Sequence, residues 1–155
     1  MFKELIAKNT ELGFFEGEIP VNYQYTLGIA GDRFFSTLKE KGDFIASKCP
    51  DCGRLFVPPS LFCEECFVEI KEYVSVGLEG ELYSFTESHY DFQGKKLDKP
   101  QLMGLVKFKG CAGGIINKLN VMYAEARIGM RVKAVLKPAG KRTGSVDDIV
   151  GFEKA

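Results

Sequence analysis

Residues 48–67 read KCPDCGRLFVPPSLFCEECF and hold four of the chain's five cysteines. They form two pairs of equal spacing, Cys49-x-x-Cys52 and Cys63-x-x-Cys66, with ten residues between the pairs. A CxxC unit folds into a tight knuckle whose two sulfurs converge on one side of a turn. Two knuckles supply four thiolates, and four thiolates satisfy Zn²⁺ in a tetrahedron. Gly53 follows the first pair, where a knuckle often needs a left-handed residue. The link RLFVPPSLF is apolar, and Pro58–Pro59 stiffens it. The separation is shorter than the common long zinc pattern but within the range of zinc ribbons. A rubredoxin-like iron site uses the same ligands. With either metal, four cysteines leave no open position for water or substrate, so the expected role of Cys49, Cys52, Cys63 and Cys66 is structural.

Outward from the quartet, the two flanks read differently. On the N-terminal side, Phe2, Leu5 and Ile6 line one face of a short expected opening helix. The stretch GFFEGEIPVNYQYTLGIAG follows without a clear period. DRFFSTLKEKGD then predicts a helix over about 32–41, with Asp32 as N-cap, Phe34, Phe35 and Leu38 on one face, and Gly42 as C-cap. On the C-terminal side, EGELYSFTESHY alternates in the manner of a strand, and PQLMGLVKFKG, GGIINKL, RVKAVLKP and DIVGFEK follow at short intervals. The polar stretch 91–100 is expected as the loop between the first two long strands. About five short strands in some eighty residues suggest a small closed barrel, of which the five-stranded Greek-key barrel is the commonest at this size.

The chain has 155 residues, 45% hydrophobic and 27% charged, a soluble globular balance. Its 21 basic and 21 acidic residues are unevenly spread. Residues 1–48 carry six basic and seven acidic groups, residues 49–76 two and five, and residues 77–155 thirteen and nine, so the net charges are −1, −3 and +4. A four-thiolate zinc site adds a further −2 to the acidic middle, which argues against a phosphate backbone as partner. The opening residues show no signal-peptide pattern, and no apolar run reaches the ~20 residues of a bilayer span. The expected location is the cytoplasm, where cysteine pairs stay reduced and bind metals.

Catalytic candidates are few. His89 is the only histidine, so any Ser–His or Cys–His mechanism must use it; its plainer reading is a strand-end histidine, with a ligand-lining role open. Cys111, in KGCAGGI, is the one cysteine outside the quartet, and a small thiol in a glycine-rich turn is usually packing. Glycines 104, 110, 113 and 114 lack the strand–glycine–helix context of a phosphate fingerprint and read as bulges and turns. Lys107, Lys109, Lys118, Arg131, Lys133, Lys137, Lys141 and Arg142 form either a solvated face or a phosphate site. Phe14, Phe15, Tyr23 and Tyr25 either fold back on their own domain or anchor the arm in a partner.

DRFFSTLKEKG, then CPDCGRLFVPPSLFCEEC, then GLEGELYSFT, then IGMRVKAVL together resemble a family that joins a rubredoxin-like zinc ribbon to an acyl-CoA-associated OB-fold, formerly a domain of unknown function. The resemblance covers about residues 31–155. It implies a mostly β chain divided into an arm and helix (1–45), a zinc ribbon (46–72) and a five-stranded OB-fold barrel (73–155). It also implies a non-catalytic partner of thiolase-superfamily enzymes that helps hold acyl-CoA. The longer arm is similar to that of zinc-finger subunits of benzoylsuccinyl-CoA thiolases, in anaerobic aromatic (toluene/benzylsuccinate) degradation. In that setting Lys107, Lys109, Lys118 and His89 are candidates to meet the phosphates of coenzyme A, and Phe14, Phe15, Tyr23 and Tyr25 to meet the thiolase-like subunit. Two other readings stand beside it: a nucleic-acid-binding module with stacking aromatics and a basic groove, and a thiol enzyme using Cys111 and His89.

Overall fold

The computed structural model describes Gly17, residues 25–91 and residues 93–155. The expected opening helix and the aromatics Phe14, Phe15 and Tyr23 lie outside these residues. The helix α1 spans Gly28–Lys41 and presents Ala30, Phe34 and Leu38 to the interior. It starts one turn earlier than its sequence predicts. Asp32 therefore sits inside the helix, and Leu27 takes the N-cap with no side-chain cap hydrogen bond. The C-terminal end is as expected: Gly42 is left-handed and its N–H reaches Leu38 O at 3.0 Å.

Two sheets follow. The ribbon sheet contains β1 (Ile45–Lys48), β2 (Leu55–Val57), β3 (Glu72–Ser75) and β6 (Cys111–Gly113), in the order β3-β1-β2-β6. The second contains β4 (Glu79–Tyr90), β5 (Lys96–Lys107), β7 (Ile115–Lys118), β8 (Arg131–Leu136) and β9 (Ile149–Lys154), in the order β7-β5-β4-β8-β9. These five are the strands that the alternation predicts. The loop between β4 and β5 is shorter than the expected 91–100, because pairing resumes at Tyr90 with Lys96. Asp91 closes it: its Oδ1 accepts the N–H groups of Gln93 and Lys95, each at 2.9 Å. Pro100 falls where the β4–β5 register shifts, at a place where a missing ladder donor is tolerated.

The closed barrel expected from the sequence is OB-like but not fully zipped. Its outer strands meet at one isolated parallel bridge, Leu119 with Phe152, held by Asn120 N–H to Phe152 O at 2.7 Å. Gly151 permits this approach, since a Cβ there would stand 2.9 Å from Lys118 O. Inside, Leu82, Leu102, Val106, Val132, Ala134, Ile149 and Phe152 alternate inward from the strands.

The two sheets share one core. Phe34 and Leu38 of α1, Phe44, Ile45 and Ala46, and Val57 pack into the same cluster as the barrel residues. Phe44 links them, stacked on Phe34 at 5.8 Å between ring centroids and edge-on to Phe108 at 5.6 Å. The ribbon sheet also draws β6 from the chain beyond β5, and β6 runs parallel to β2 through Leu55–Cys111, Phe56–Ala112 and Val57–Gly113. Sequence alternation misses β1, β2, β3 and β6, which are only three or four residues long. Among the described residues no helix is long and apolar enough to cross a membrane.

Candidate metal centre

Cys49 directly follows β1, and the chain turns there before entering β2. Gly53 N–H bonds to Cys49 O at 3.0 Å and Cys49 N–H to Arg54 O at 2.9 Å, which folds the first knuckle. The second repeats it: Phe67 N–H bonds to Cys63 O at 2.9 Å, and Cys63 N–H to Val68 O at 3.0 Å. The residue after each pair is left-handed, Gly53 with φ 72° and Phe67 with φ 57°. Left-handed geometry suits glycine and costs an L-residue roughly 1–2 kcal/mol. The sequence predicts the left-handed glycine but not the left-handed phenylalanine, although the equal spacing of the two pairs marks its position.

All four sulfurs lie within 4.8 Å of one another. Cys52 and Cys63 Sγ are 3.8 Å apart, the edge of a tetrahedron with Zn–S bonds of about 2.3 Å (~3.8 Å). Cys49 and Cys63 are buried, Cys66 is half-buried and Cys52 is exposed. Phe56 and Ile70 close the inner side of the site. The amide of Cys52 pulls the Cys49 thiol down to about 7 against its burial. The Arg54 amide also draws Cys52 down, but the Cys49 thiol and burial outweigh it and leave Cys52 raised. Cys66 is pushed up to about 12, by Cys52 first and then by burial and the other thiols. The Cys49 thiol is thus favoured as thiolate while crowding opposes those of Cys52 and Cys66, a conflict that a divalent cation resolves. The four cysteines therefore fit a bound metal, and no ligand position is left for chemistry.

Of the proposed coenzyme A contacts, the fold brings together only Lys107 and Lys109. They line a cleft of about 570 Å³ with Tyr83, Arg131 and the carboxylates Glu79 and Glu81. Lys107 Nζ sits 3.6 Å above the Tyr83 ring, and Arg131 pairs with Glu79 at 2.5 Å. Lys118 is on β7 opposite Met103 and so farther along the sheet. His89 is near the other end of β4, its Nε2 3.1 Å from Glu87. Cys111 lies in β6, and burial pushes its thiol up, against a nucleophilic role. Tyr25, just before α1, is 84% exposed.

Residues 38–72 match the family model described as ChsH2, rubredoxin-like zinc ribbon domain, and residues 73–137 match ChsH2, C-terminal OB-fold domain. A DUF35-family protein of unknown function from Sulfolobus solfataricus is 30% identical, over 83% of this chain and 87% of its own, with a TM-score of 0.66. The Ltp2-ChsH2(DUF35) aldolase is 18% identical over 84% of this chain and 98% of that one, with a TM-score of 0.62, and shares the fold. No curated protein matches the chain. A zinc ribbon followed by an OB-fold, in the order and extent of its Sulfolobus relative, makes this chain a member of the DUF35 family.

Proposed function

We propose that the chain is a non-catalytic, zinc-binding accessory subunit of a thiolase-superfamily enzyme acting on acyl-CoA thioesters. The observation that carries this reading is the closed ligand set. All four metal donors come from this chain, at tetrahedral spacing, so the metal braces a scaffold and takes no substrate. Among the described residues the two catalytic candidates do not meet: His89 is paired with Glu87 on β4, while Cys111 is in the ribbon sheet. A fold neighbour, the Ltp2-ChsH2(DUF35) aldolase, carries a DUF35 component beside a second protein in its name, which supports a partnered role.

In this reading one Zn²⁺ binds per chain. Residues 1–45 are the docking arm and helix, 46–72 the ribbon, and 73–155 the OB-fold domain. Phe14, Phe15, Tyr23 and Tyr25 face the thiolase-like subunit. The Lys107–Lys109 cleft, with Lys118 and His89 farther along, meets the phosphates of the acyl-CoA and helps wall its channel. The acyl group belongs to anaerobic aromatic degradation of the toluene/benzylsuccinate type, and the complex works in the cytoplasm, the compartment in which paired cysteines bind metals rather than form disulfides.

The test is a pull-down of the tagged chain from its native host, with mass spectrometry and zinc quantification of the eluate. A thiolase-like protein in fixed ratio is expected, and its pathway names the acyl group. Salt-sensitive co-elution of nucleic acid would replace this reading with a nucleic-acid module. Acyl-CoA turnover by the chain alone, abolished in Cys111→Ala, would replace it with a thiol enzyme.

A further inference from the structure

The second zinc knuckle differs from the first at one telling place. Both knuckles make the same hydrogen bonds and both need a left-handed residue after the second cysteine. At Gly53 that requirement is met without strain, whereas at Phe67 an L-residue is held at φ 57°. Among the described residues the Phe67 ring finds no compensating packing, since it is 81% exposed and outside the apolar cluster that floors the metal site. Phe62, just before Cys63, is 56% exposed. A strained backbone that displays an unburied aromatic ring is unfavourable for the free chain on both counts.

Carboxylates flank these two residues along the chain. Glu64 and Glu65 lie between Cys63 and Cys66 with exposed side chains, and Glu69 faces Phe62 across an isolated bridge. Two cations face this group: Arg54, 2.7 Å from Glu65 and 3.8 Å from Glu64, and Lys71, 3.0 Å from Glu69. Three carboxylates and the negative charge of a four-thiolate zinc site outnumber them. An apolar tip within an acidic rim repels phosphate backbones and anionic lipid, and complements a hydrophobic pocket rimmed by Lys or Arg.

We infer that the second knuckle, with Phe67 as its anchor and Glu64 and Glu65 as its rim, docks into an apolar, cation-rimmed pocket on the catalytic subunit. This rests on the accessory-subunit reading above, and it puts an interface on the ribbon besides the one assigned to the arm.

The test uses the full chain and the catalytic subunit with which it co-purifies. Binding is measured by calorimetry at two salt concentrations for the wild type, Phe67→Gly, and the double variant Glu64→Gln/Glu65→Gln, with zinc content and melting temperature recorded for each. Phe67→Gly relieves the left-handed strain, so it keeps its zinc and melts no lower than wild type. It is expected to bind at least tenfold more weakly. The double variant is expected to lose affinity at low salt and much of its salt dependence. Unchanged affinity of Phe67→Gly in a complex that still forms overturns the knuckle interface and leaves the accessory reading standing. An unchanged salt response in the double variant overturns the cationic rim. Self-association of the wild type that Phe67→Gly abolishes replaces the catalytic subunit with a second copy of this chain. Failure of the wild type to bind any catalytic subunit removes the accessory reading, and the proposal with it.

Discussion

At the scale of single residues, Cys49 and Asp148 make the clearest commitments. Cys49 is buried, and the amide of Cys52 holds its thiol below the ordinary value. Cys49→Ser removes one tetrahedral donor, and metal analysis of the purified variant should find far less than one zinc per chain. A full equivalent retained would contradict the four-cysteine assignment. Asp148 is fully buried and accepts N–H groups from Thr143 (3.0 Å), Gly144 (2.7 Å) and Ser145 (3.3 Å). Burial pushes its carboxyl up, but those amides and Lys137 outweigh the burial and hold it below the ordinary carboxylate value. A carboxyl lowered in the folded state contributes stability that is fully present above its unfolded pKa, about 3.9, and is lost as pH falls through the lower folded value. Wild-type melting temperature should therefore drop on acidification below about pH 4, and Asp148→Asn should flatten that part of the profile. At neutral pH the variant should be less stable by about 1–3 kcal/mol, as denaturant melts can measure. The Ser145-x-x-Asp148 spacing of a capping box stands in SVDDIV, but the burial of the carboxylate does not, because it depends on the helix packed beside this turn. The zinc ligands were legible for the opposite reason: their chemistry is local, and the CxxC spacing alone brings the sulfurs together.

Elements show the same contrast. The long strands of the second sheet, β4, β5 and β8, are readable because each has at least six residues and alternates between a wet and a dry face. Short β7 is readable from the glycines before it and its alternation. The ribbon strands escaped notice, being too short for a period and stabilised by partners distant in the chain. The seam between β2 and β6 is the most demanding of these pairings. Gly113 is left-handed there, φ 79°, and a Cβ on it would collide with the carbonyl oxygen of Val57. Gly113→Ala should cost about 2–4 kcal/mol through strain and the forced shift of β2. It should also loosen zinc, seen as faster loss of metal to a chelator. If metal release and melting temperature stay as in the wild type, β6 does not brace the ribbon. The start of α1 teaches a smaller lesson: Asp32 is a good cap by residue type, but burial of Ala30 and Phe34 extends the helix past it.

For the molecule as a whole, the core of the described residues reaches from α1 through the ribbon sheet into the OB-fold, beginning at Ala30. Removing residues 1–24 should leave zinc content and melting temperature close to those of the full chain. It should weaken binding to the proposed catalytic subunit about tenfold or more, since buried aromatics dominate interface energetics. Unchanged affinity would take Phe14, Phe15 and Tyr23 out of the interface. Acidic and basic regions also divide the work in a way that sequence anticipates only in part. Net charge by segment shows an acidic ribbon and a basic C-terminal half, but only folding sets Lys107 and Lys109 beside Glu79 and Glu81. That mixed cleft suits a polar ligand held in one orientation better than an unspecific polyanion.

The parallel pairing of β2 with β6 also bears on inheritance. A crossover between two relatives at the junction of residues 72 and 73 would look harmless on paper, since it separates one recognisable module from the next. In space it would separate Val57 from Gly113, two positions that must fit each other atom against atom. Such a hybrid would inherit half of a joint from each parent. The two modules are therefore expected to travel as a pair through any exchange, and a transplanted ribbon would need to bring the tripeptide Cys111–Gly113 along with it.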